Sequence, residues 1–263
     1  MKATDLFDVS GHVAFVTGAA SGLGLAMAEV MADNGAHVVM ADIDPETLER
    51  HTGRLAAAGA SVEGVVLDVA DLAALRAAID NAAKGRGRLD AVFANAGISA
   101  GPGYLTEIGK IDAVDPAKWD EVVHVNLTSV FATVQAAARH MKRQKSGRIV
   151  VTASIAGLQA ETMVGYAYVA TKTGVVGLVR QAAMELAPHN VTVNAIAPGP
   201  FFTNIAGGRL NDPEVAAAFR DMVPMGRIAD TAELQGLALL LASPAGSFIT
   251  GTAIPIDGGC TAG

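Results

Sequence analysis

The sequence predicts an α/β fold: a single domain in which seven parallel strands form one doubly wound sheet with helices on both faces. Short runs rich in Val, Ile and Leu alternate with longer alanine-rich segments of helical periodicity, the pattern of a parallel sheet with crossover helices. The 263 residues, 51% of them hydrophobic and 17% charged, suffice for one large core. Aromatic residues make up only 5% whereas glycine occurs 29 times, so close packing through small aliphatic side chains is expected.

The expected elements follow the hydrophobic runs and their boundaries. Two helices have a clear start, because Asp44-Pro45 and Asp115-Pro116 each place a capping acid before a proline. Strands are expected at 12–17, 36–41, 62–67, 90–94, 148–152, 191–196 and 252–256, and helices at 22–34, 45–58, 71–84, 116–144, 165–187 and 231–242.

One long segment, 198–228, contains four prolines and shows neither a clear strand nor a dominant helix. We interpret it as a substrate lid, with an ordinary long connection as the alternative. No linker, low-complexity tract or short repeat divides the chain. Residues 1–263 are therefore expected to form one domain.

Composition and charge exclude several classes of protein. The single cysteine, Cys260, allows no intramolecular disulfide, and the six histidines lack metal-ligand spacing, so no metal site is predicted. Acids near the start and the lack of any apolar run of about eighteen residues predict a cytoplasmic protein that is not in a membrane. A net charge of −7 argues against nucleic-acid binding, and the basic run at 139–148 is interpreted as a solvated helix end.

The first strand ends in a glycine-rich turn that leads straight into a helix. Glycines let the backbone turn tightly and approach a pyrophosphate, whose charge the helix N-terminus stabilises, as in a Rossmann-like fold. The spacing departs from the common G-x-G-x-x-G pattern, and a plain strand-to-helix turn is the alternative. The residues expected to bind a dinucleotide here are Gly18, Ser21, Gly22, Leu23 and Gly24.

Asp42 follows the second strand at the distance from this turn where an acid reads the adenosine ribose hydroxyls. A 2′-phosphate close to this carboxylate meets a repulsion of about 1–4 kcal/mol per charge pair. No Arg or Lys occurs in 17–24 or next to Asp42, so NAD is favoured over NADP. Ile43 belongs to the same predicted subsite, and a solvated strand-end acid is the alternative.

Two further strands end in residues that suit a bound dinucleotide. Asp68 and Val69 follow the third strand, where the carboxylate is placed to accept from the adenine amino group. Asn95-Ala96-Gly97 follows the fourth strand and lets the backbone lie close to a ribose, with a plain turn as the alternative.

The candidate reacting groups come later in the chain. Tyr168 and Lys172 are four apart and share one helix face, where an ammonium about 4 Å away would lower the phenol pKa by about three units. By itself, a tyrosine and a lysine at this spacing usually lie together on the exposed surface of a helix. Ser154 lies just past the fifth strand, where it can hold a substrate oxygen beside Tyr168. Asn126, a poor helix former in mid-helix, indicates either a local distortion holding a water near Lys172 or an exposed polar face.

The order of these motifs resembles that of the short-chain dehydrogenase/reductase family, in its compact single-domain branch. The resemblance covers essentially the whole chain. It is carried by Thr17-Gly18-x-x-x-Gly22-x-Gly24, Asn95-Ala96-Gly97, Asn126, Ser154, Tyr168-x-x-x-Lys172 and Pro198-Gly199-x-x-x-Thr203.

The resemblance implies a nicotinamide cofactor, for which Asp42 favours NAD, and a catalytic tetrad of Asn126, Ser154, Tyr168 and Lys172. In it the tyrosine exchanges the hydroxyl proton, the serine orients the reacting oxygen, the lysine binds the nicotinamide ribose and lowers the tyrosine pKa, and the asparagine holds a water. Thr203 is expected to bind the carboxamide with the backbone of Ile196. The remaining implied cofactor contacts are Pro198, Gly199 and Phe201.

The function expected from this resemblance is that of an NAD-dependent alcohol dehydrogenase or ketone reductase, assembled as a homotetramer. The alternatives are an NADP-dependent 3-oxoacyl-carrier-protein reductase and a non-catalytic NAD-binding regulator. The pocket segments favour a small polyol, sugar or cyclic alcohol as substrate. Substrate contacts are expected from Ser154, Gln159, Glu161, Tyr166, Tyr168 and Phe201.

Overall fold

A parallel sheet organises the computed structural model, which describes residues 2–203, 205 and 212–262. Within these residues the strands run parallel in the spatial order third, second, first, fourth, fifth, sixth, seventh. The predicted doubly wound sheet is confirmed. The strands are β1 (Val13–Thr17), β2 (His37–Asp42), β3 (Val62–Val66), β4 (Ala91–Ala94), β5 (Gly147–Thr152), β6 (Val191–Pro198) and β7 (Ala253–Ile256).

Helices cover both faces of this sheet. The α-helices of the described residues are α1 (Ala3–Leu6), α2 (Gly22–Asp33), α3 (Pro45–Ala57), α4 (Leu72–Arg86), α5 (Pro116–Val123), α6 (Ser129–Gln144), α7 (Tyr166–Leu186), α8 (Pro213–Asp221) and α9 (Gln235–Ala242). None of them is long and apolar enough to cross a membrane.

The core has two halves because successive strand residues point to opposite faces. Phe15 packs with the cluster on the side of α4, α6 and α7, whereas its neighbour Val16 packs with the cluster on the side of α2 and α9. The strand order reverses between β1 and β4. In open α/β sheets this reversal opens a crevice at the carboxyl ends of the strands, which is where ligands bind.

The predicted Asp-Pro helix starts are present. The Asp44 carboxylate accepts from the backbone amides of Glu46 and Thr47, and Asp115 accepts from Ala117. These bonds satisfy amides that a helix start otherwise leaves unpaired.

The long predicted helix at 116–144 is divided. A π-helical turn, His124–Thr128, separates α5 from α6 and contains Asn126. The local distortion expected from that asparagine is therefore present, and the segment is not one regular α-helix. Such a turn widens the helix by one residue and re-aims the side chains within it.

The predicted lid segment contains a helix that the sequence interpretation did not include. α8 begins after Asp212, whose carboxylate accepts from the Glu214 amide. The ends of the segment are fastened together, since the Ala229 amide donates to the Pro200 carbonyl and the Phe202 amide to the Ala229 carbonyl, both at 3.0 Å. Residues 204 and 206–211 lie outside the described residues.

Close packing at the start of α2 requires a glycine. A Cβ at Gly24 would lie 2.0 Å from the Gly18 carbonyl oxygen and 2.5 Å from Asn95 Nδ2. The protein's own packing therefore needs a glycine at position 24, and the predicted contact of Gly24 with a dinucleotide stays a prediction.

We expect Gly24→Ala to destabilise the protein by about 1–3 kcal/mol, because backbone would have to move. The matched control is Gly53→Ala in α3, where an added Cβ meets nothing within 4 Å. That control should gain about 0.5–1 kcal/mol from helix propensity. Urea unfolding followed by circular dichroism measures both, and equal effects would contradict the packing argument.

Candidate active site

A cleft of about 660 Å³ opens above the carboxyl ends of the strands. It brings together nearly all the predicted cofactor-binding residues and three members of the predicted tetrad. Those lining it are Gly18, Ser21, Gly22, Leu23, Asp42, Ile43, Asp68, Val69, Asn95, Ala96, Gly97, Ser154, Tyr168, Lys172, Pro198, Gly199, Phe201 and Thr203.

The glycine turn forms a cradle at the start of α2. Gly18 and Gly22 have φ angles of +65° and +53°, a region that side chains other than glycine rarely adopt. A Cβ at Gly22 would lie 3.3 Å from Thr203 Cγ2, so Thr203 sits directly over the turn. The Ser21 side chain does not cap α2, which leaves the first amides of this helix available to an anion.

Asp42 holds this turn as well as facing the cleft. Its Oδ2 accepts from the Ala20 amide at 2.8 Å, and its Oδ1 accepts from the Asp44 amide at 3.1 Å. The carboxylate predicted to bind ribose hydroxyls is thus also a structural part of the pyrophosphate turn, and the interpretation of Asp42 as a merely solvated acid is wrong.

A second, smaller pocket adjoins Asp42. It has a volume of about 380 Å³ and is lined on the far side by Thr47, Arg50 and His51 of α3. Arg50 and Asp42 line the same pocket because α3, which begins after Asp44, follows the end of β2 directly. The expectation that no basic residue accompanies Asp42 holds along the sequence but not in space.

One hydroxyl ties the ends of β1 and β4 together. Thr17 Oγ1 accepts from the amides of Asn95 and Ala96, at 3.0 and 3.1 Å, and donates to the Phe93 carbonyl at 3.3 Å. The Asn95 side chain donates to the Thr17 carbonyl and accepts from the Thr152 hydroxyl. No sequence signal marked Thr17 or Thr152 for these roles, because the bonds join residues far apart in the chain.

Asn126 is fully buried in the π turn. Its Oδ1 accepts from the Ile98 amide and its Nδ2 donates to the Ile98 carbonyl, both at 2.8 Å. The exposed-face interpretation is therefore wrong. The side chain is committed to the loop after β4, where it also abuts Gly97, and its predicted role in holding a water stays a prediction.

Ser154, Tyr168 and Lys172 meet at the inner end of the cleft. Ser154 is buried and its Oγ accepts from the Ala156 amide at 3.1 Å. Burial raises the pKa of the Tyr168 phenol, while a hydrogen bond with Ser154 acts in the opposite direction. Lys172 is 2% exposed, and burial lowers its pKa to about 8.

The contact between Lys172 and Tyr168 differs from the one expected. Lys172 Nζ donates to the Thr152 carbonyl at 2.6 Å and lies 5.5 Å from the centre of the Tyr168 ring. The expected lowering of the phenol pKa is therefore not produced by the protein alone. Desolvation of the hydroxyl outweighs the ammonium, which is directed at a carbonyl.

Some predicted contacts lie outside the lining of this cleft. Gln159 is exposed, Tyr166 is half-buried on another face of α7, and Gly24 is buried beneath the turn. Ile196 is buried within β6 and its carbonyl already accepts from the Ala153 amide at 2.8 Å. The expected contacts of these residues with cofactor or substrate stay predictions.

The substrate end of the cleft is mostly apolar. Val164, Phe219 and Met222 line it together with Glu161 and Phe201. Val164 and Phe219 were not predicted individually, since no motif marks either residue. Phe219 also lies in α8, a helix that was not predicted. Among the described residues no group of three or more His, Cys, Asp or Glu side chains is placed to hold a metal ion.

A turn at 257–261 supports this wall from behind. The Met225 amide donates to the Gly258 carbonyl at 3.1 Å, and Cys260 Sγ donates to the Met222 carbonyl at 3.4 Å. The residues that follow α8 are thereby fixed against a segment distant in sequence.

Comparison with known proteins identifies the family. Residues 18–261 match the family described as Enoyl-(Acyl carrier protein) reductase. A short-chain type dehydrogenase/reductase from Mycobacterium marinum has a solved structure that superposes with a TM-score of 0.90, at 33% identity over 100% of both chains. The chain belongs to the short-chain dehydrogenase/reductase family, and is an oxidoreductase of this family with a nicotinamide cofactor.

Two other relatives are similar over nearly their whole length. The cis-4-hydroxycyclohexanecarboxylate dehydrogenase of Sinomonas cyclohexanicum is 38% identical over 251 residues, covering 95% of this chain and 97% of the relative. A gluconate 5-dehydrogenase from Burkholderia cenocepacia J2315, solved with NADP and tartrate, has a TM-score of 0.90 and 33% identity over 100% of both chains. The predicted family resemblance is confirmed.

We expect Thr17→Val to cost about 1–3 kcal/mol of stability, because it leaves the Asn95 and Ala96 amides without their acceptor. It should also weaken dinucleotide binding, which isothermal calorimetry measures. Thr17→Ser keeps the oxygen and is the matched control. If the valine and serine variants bind the dinucleotide equally, the hydroxyl does not organise the site.

Proposed function

We propose that this protein is an NAD-dependent oxidoreductase that transfers hydride between nicotinamide C4 and a secondary alcohol or ketone, with Tyr168 as acid and base. One observation carries the proposal. Ser154, Tyr168 and Lys172 converge in the same cleft as the glycine turn, so a dinucleotide on the turn and a substrate at the tyrosine would meet there.

The residues present fit a dinucleotide. The positive-φ glycines leave room where side chains would stand, and the uncapped start of α2 suits a pyrophosphate. Thr203 above Gly22 is positioned for the carboxamide end, and the loop 95–97 for a ribose. When bound, the nicotinamide supplies the hydride acceptor or donor.

The chain's own residues handle the proton. In alcohol oxidation Tyr168 takes the hydroxyl proton, and in ketone reduction it gives that proton back to the carbonyl oxygen. Ser154 donates a hydrogen bond to the same oxygen and holds it next to the phenol. Lys172, fixed by Thr152, places a positive charge near the phenol ring as charge develops there.

The direction of the pKa shift of Tyr168 sets the pH dependence. Because burial raises this pKa, the phenol is protonated at neutral pH, the form that ketone reduction requires. Alcohol oxidation requires the phenolate. We therefore expect oxidation to become faster as the pH rises and reduction to become slower.

Asp42 supports NAD as the cofactor. Its carboxylate is fixed at the edge of the cleft by two backbone amides, and a 2′-phosphate there would meet its charge. Arg50 in the adjoining pocket partly offsets that repulsion, which makes the preference a balance between two charges. The gluconate 5-dehydrogenase named above was solved with NADP, so a relative of the same fold binds the phosphorylated cofactor.

The substrate we propose is a small cyclic alcohol, polyol or sugar. The apolar wall of Val164, Phe219 and Met222 suits a ring, and the relatives named above act, by their names, on a cyclohexane ring and on gluconate. The alternative is an NADP-dependent 3-oxoacyl-carrier-protein reductase. The homotetramer and the cytoplasmic location stay predictions.

Replacing Tyr168 by Phe removes the proton donor and keeps the ring. We expect kcat to fall by about a thousandfold or more, while NAD binds within about twofold of the parent affinity. NADH absorbance measures the first effect and calorimetry the second. Retained activity would overturn the assigned mechanism.

Replacing Asp42 by Asn removes the charge but keeps an oxygen for the Ala20 or Asp44 amide. We expect the ratio of NAD to NADP affinity to fall by about tenfold to a hundredfold. Asp42→Ala should in addition weaken both cofactors, since the turn loses its acceptor. Asp68→Asn, which removes the same charge elsewhere in the cleft, is the control and should leave the ratio unchanged. A parent enzyme that prefers NADP would contradict the cofactor assignment.

A further inference from the structure

We propose that Glu161 determines substrate specificity: it excludes alcohols that carry a carboxylate and selects uncharged ones that present a second hydroxyl to it. The inference rests on the proposed function, which places the reacting alcohol at Tyr168. It narrows the substrate to an uncharged diol with an apolar body.

Glu161 lies in the same cleft as the reacting groups. It is part-buried and lines the cleft together with Ser154 and Tyr168. Its neighbours in the lining at this end, Val164 and Met222, are apolar. A carboxylate among apolar side chains offers a single polar anchor to a small molecule, and its charge is poorly screened there.

The carboxylate is held in place by its own loop. Glu161 Oε1 accepts from the amides of Thr162 and Met163, at 2.8 and 3.2 Å. The other oxygen, Oε2, has no hydrogen bond to the described residues. This oxygen is therefore the one available to a hydroxyl of the substrate.

The loop itself cannot easily swing away. A Cβ at Gly103 would lie 1.8 Å from the Thr162 carbonyl oxygen, and one at Gly165 would lie 2.7 Å from the Ala100 carbonyl oxygen. The Gly165 amide also donates to the Gly101 carbonyl at 3.1 Å. Two close backbone contacts and this bond hold the loop that carries Glu161 against the segment 100–103.

Among the described residues that line the cleft, no free cationic side chain is available to a substrate carboxylate. Among the described residues that line it, Lys172 is the only Lys or Arg, and its ammonium is buried and bonded to the Thr152 carbonyl. Acids line it at several places. The pKa of Cys260, behind this wall, is raised by burial and, further, by the negative charges of Asp257 and Glu161, both of which lie close enough to act on the thiol.

Glu161 gives this protein a substrate preference that differs from the substrate for which one relative is named. The dehydrogenase of Sinomonas cyclohexanicum is named for a substrate that carries a carboxylate on a cyclohexane ring. The apolar wall here suits such a ring, whereas Glu161 opposes the carboxylate. A cyclohexane ring that carries a hydroxyl in place of the carboxylate would suit both the apolar wall and Glu161.

The experiment compares three cyclohexanols that differ only at the far position: 1,4-cyclohexanediol, 4-hydroxycyclohexanecarboxylate and cyclohexanol. NADH formation gives kcat/KM, and calorimetry with the NADH-loaded protein gives the affinity of the matching ketones. We expect kcat/KM to be about tenfold or more higher for the diol than for the carboxylate, and the ketone of the diol to bind more tightly than that of the carboxylate by a similar factor.

Substitutions of Glu161 then test whether this side chain causes the preference for the diol over the carboxylate. Glu161→Gln should bring the carboxylate to within about threefold of the diol, and Glu161→Ala should lower the diol to the level of cyclohexanol. Glu214→Gln is the control: it removes an exposed charge on α8 outside the cleft lining and should leave all ratios unchanged.

The inference is overturned if the parent protein accepts the carboxylate as well as the diol, if Glu161→Gln leaves their ratio unchanged, or if none of the ketones binds. A binding preference that depends on Glu161 without any NADH formation supports the inference. Binding that depends on Glu161 without NADH formation would contradict only the proposed hydride transfer.

Discussion

The hydroxyl of Thr17 joins the two strands between which the sheet reverses, and the rest of the site is built outward from that junction. It binds the loop after β4, whose Asn95 reaches across to the Thr152 hydroxyl. The carbonyl of the same Thr152 holds the Lys172 ammonium. A continuous series of hydrogen bonds therefore runs from the dinucleotide turn to Lys172. Thr17, Thr152 and Lys172 in this series are buried, so breaking one of their bonds leaves polar atoms that water does not readily reach.

Most of the fold was predictable because its signals are local. Strands buried on both faces appear as short aliphatic runs, and helices start at an acid followed by proline. The distortion at Asn126 was also predictable, since a poor helix former amid good ones needs a reason to be there. α8 was missed although Asp212-Pro213 repeats the signal used at Asp44-Pro45. The surrounding prolines and glycines favoured a loop, so context outweighed a capping signal that was locally the same.

The site was predictable as a set of residues but not as a set of contacts. The order of motifs identified the members of the cleft, because the carboxyl ends of parallel strands lie at one edge. Spacing could not show that Arg50 returns to the side of Asp42, nor that Gln159 points to solvent. It also gave the wrong partner for Lys172. Residues four apart on a helix share a face, but the side chain of a buried lysine goes to the strongest acceptor within reach, here a carbonyl on a neighbouring strand.

The turn at 257–261 fixes the residues after α8. The substrate wall of the cleft is therefore completed by residues that are synthesised much later than those of the dinucleotide turn. The glycine turn and its contacts with Thr17 and Asp42 belong to β1, β2 and the segments that follow them, all within the first hundred residues. The substrate wall needs a segment that leaves the ribosome more than a hundred and fifty residues later. During synthesis the residues of the dinucleotide turn therefore leave the ribosome well before those that hold the substrate wall, so the substrate pocket is the later of the two to be completed.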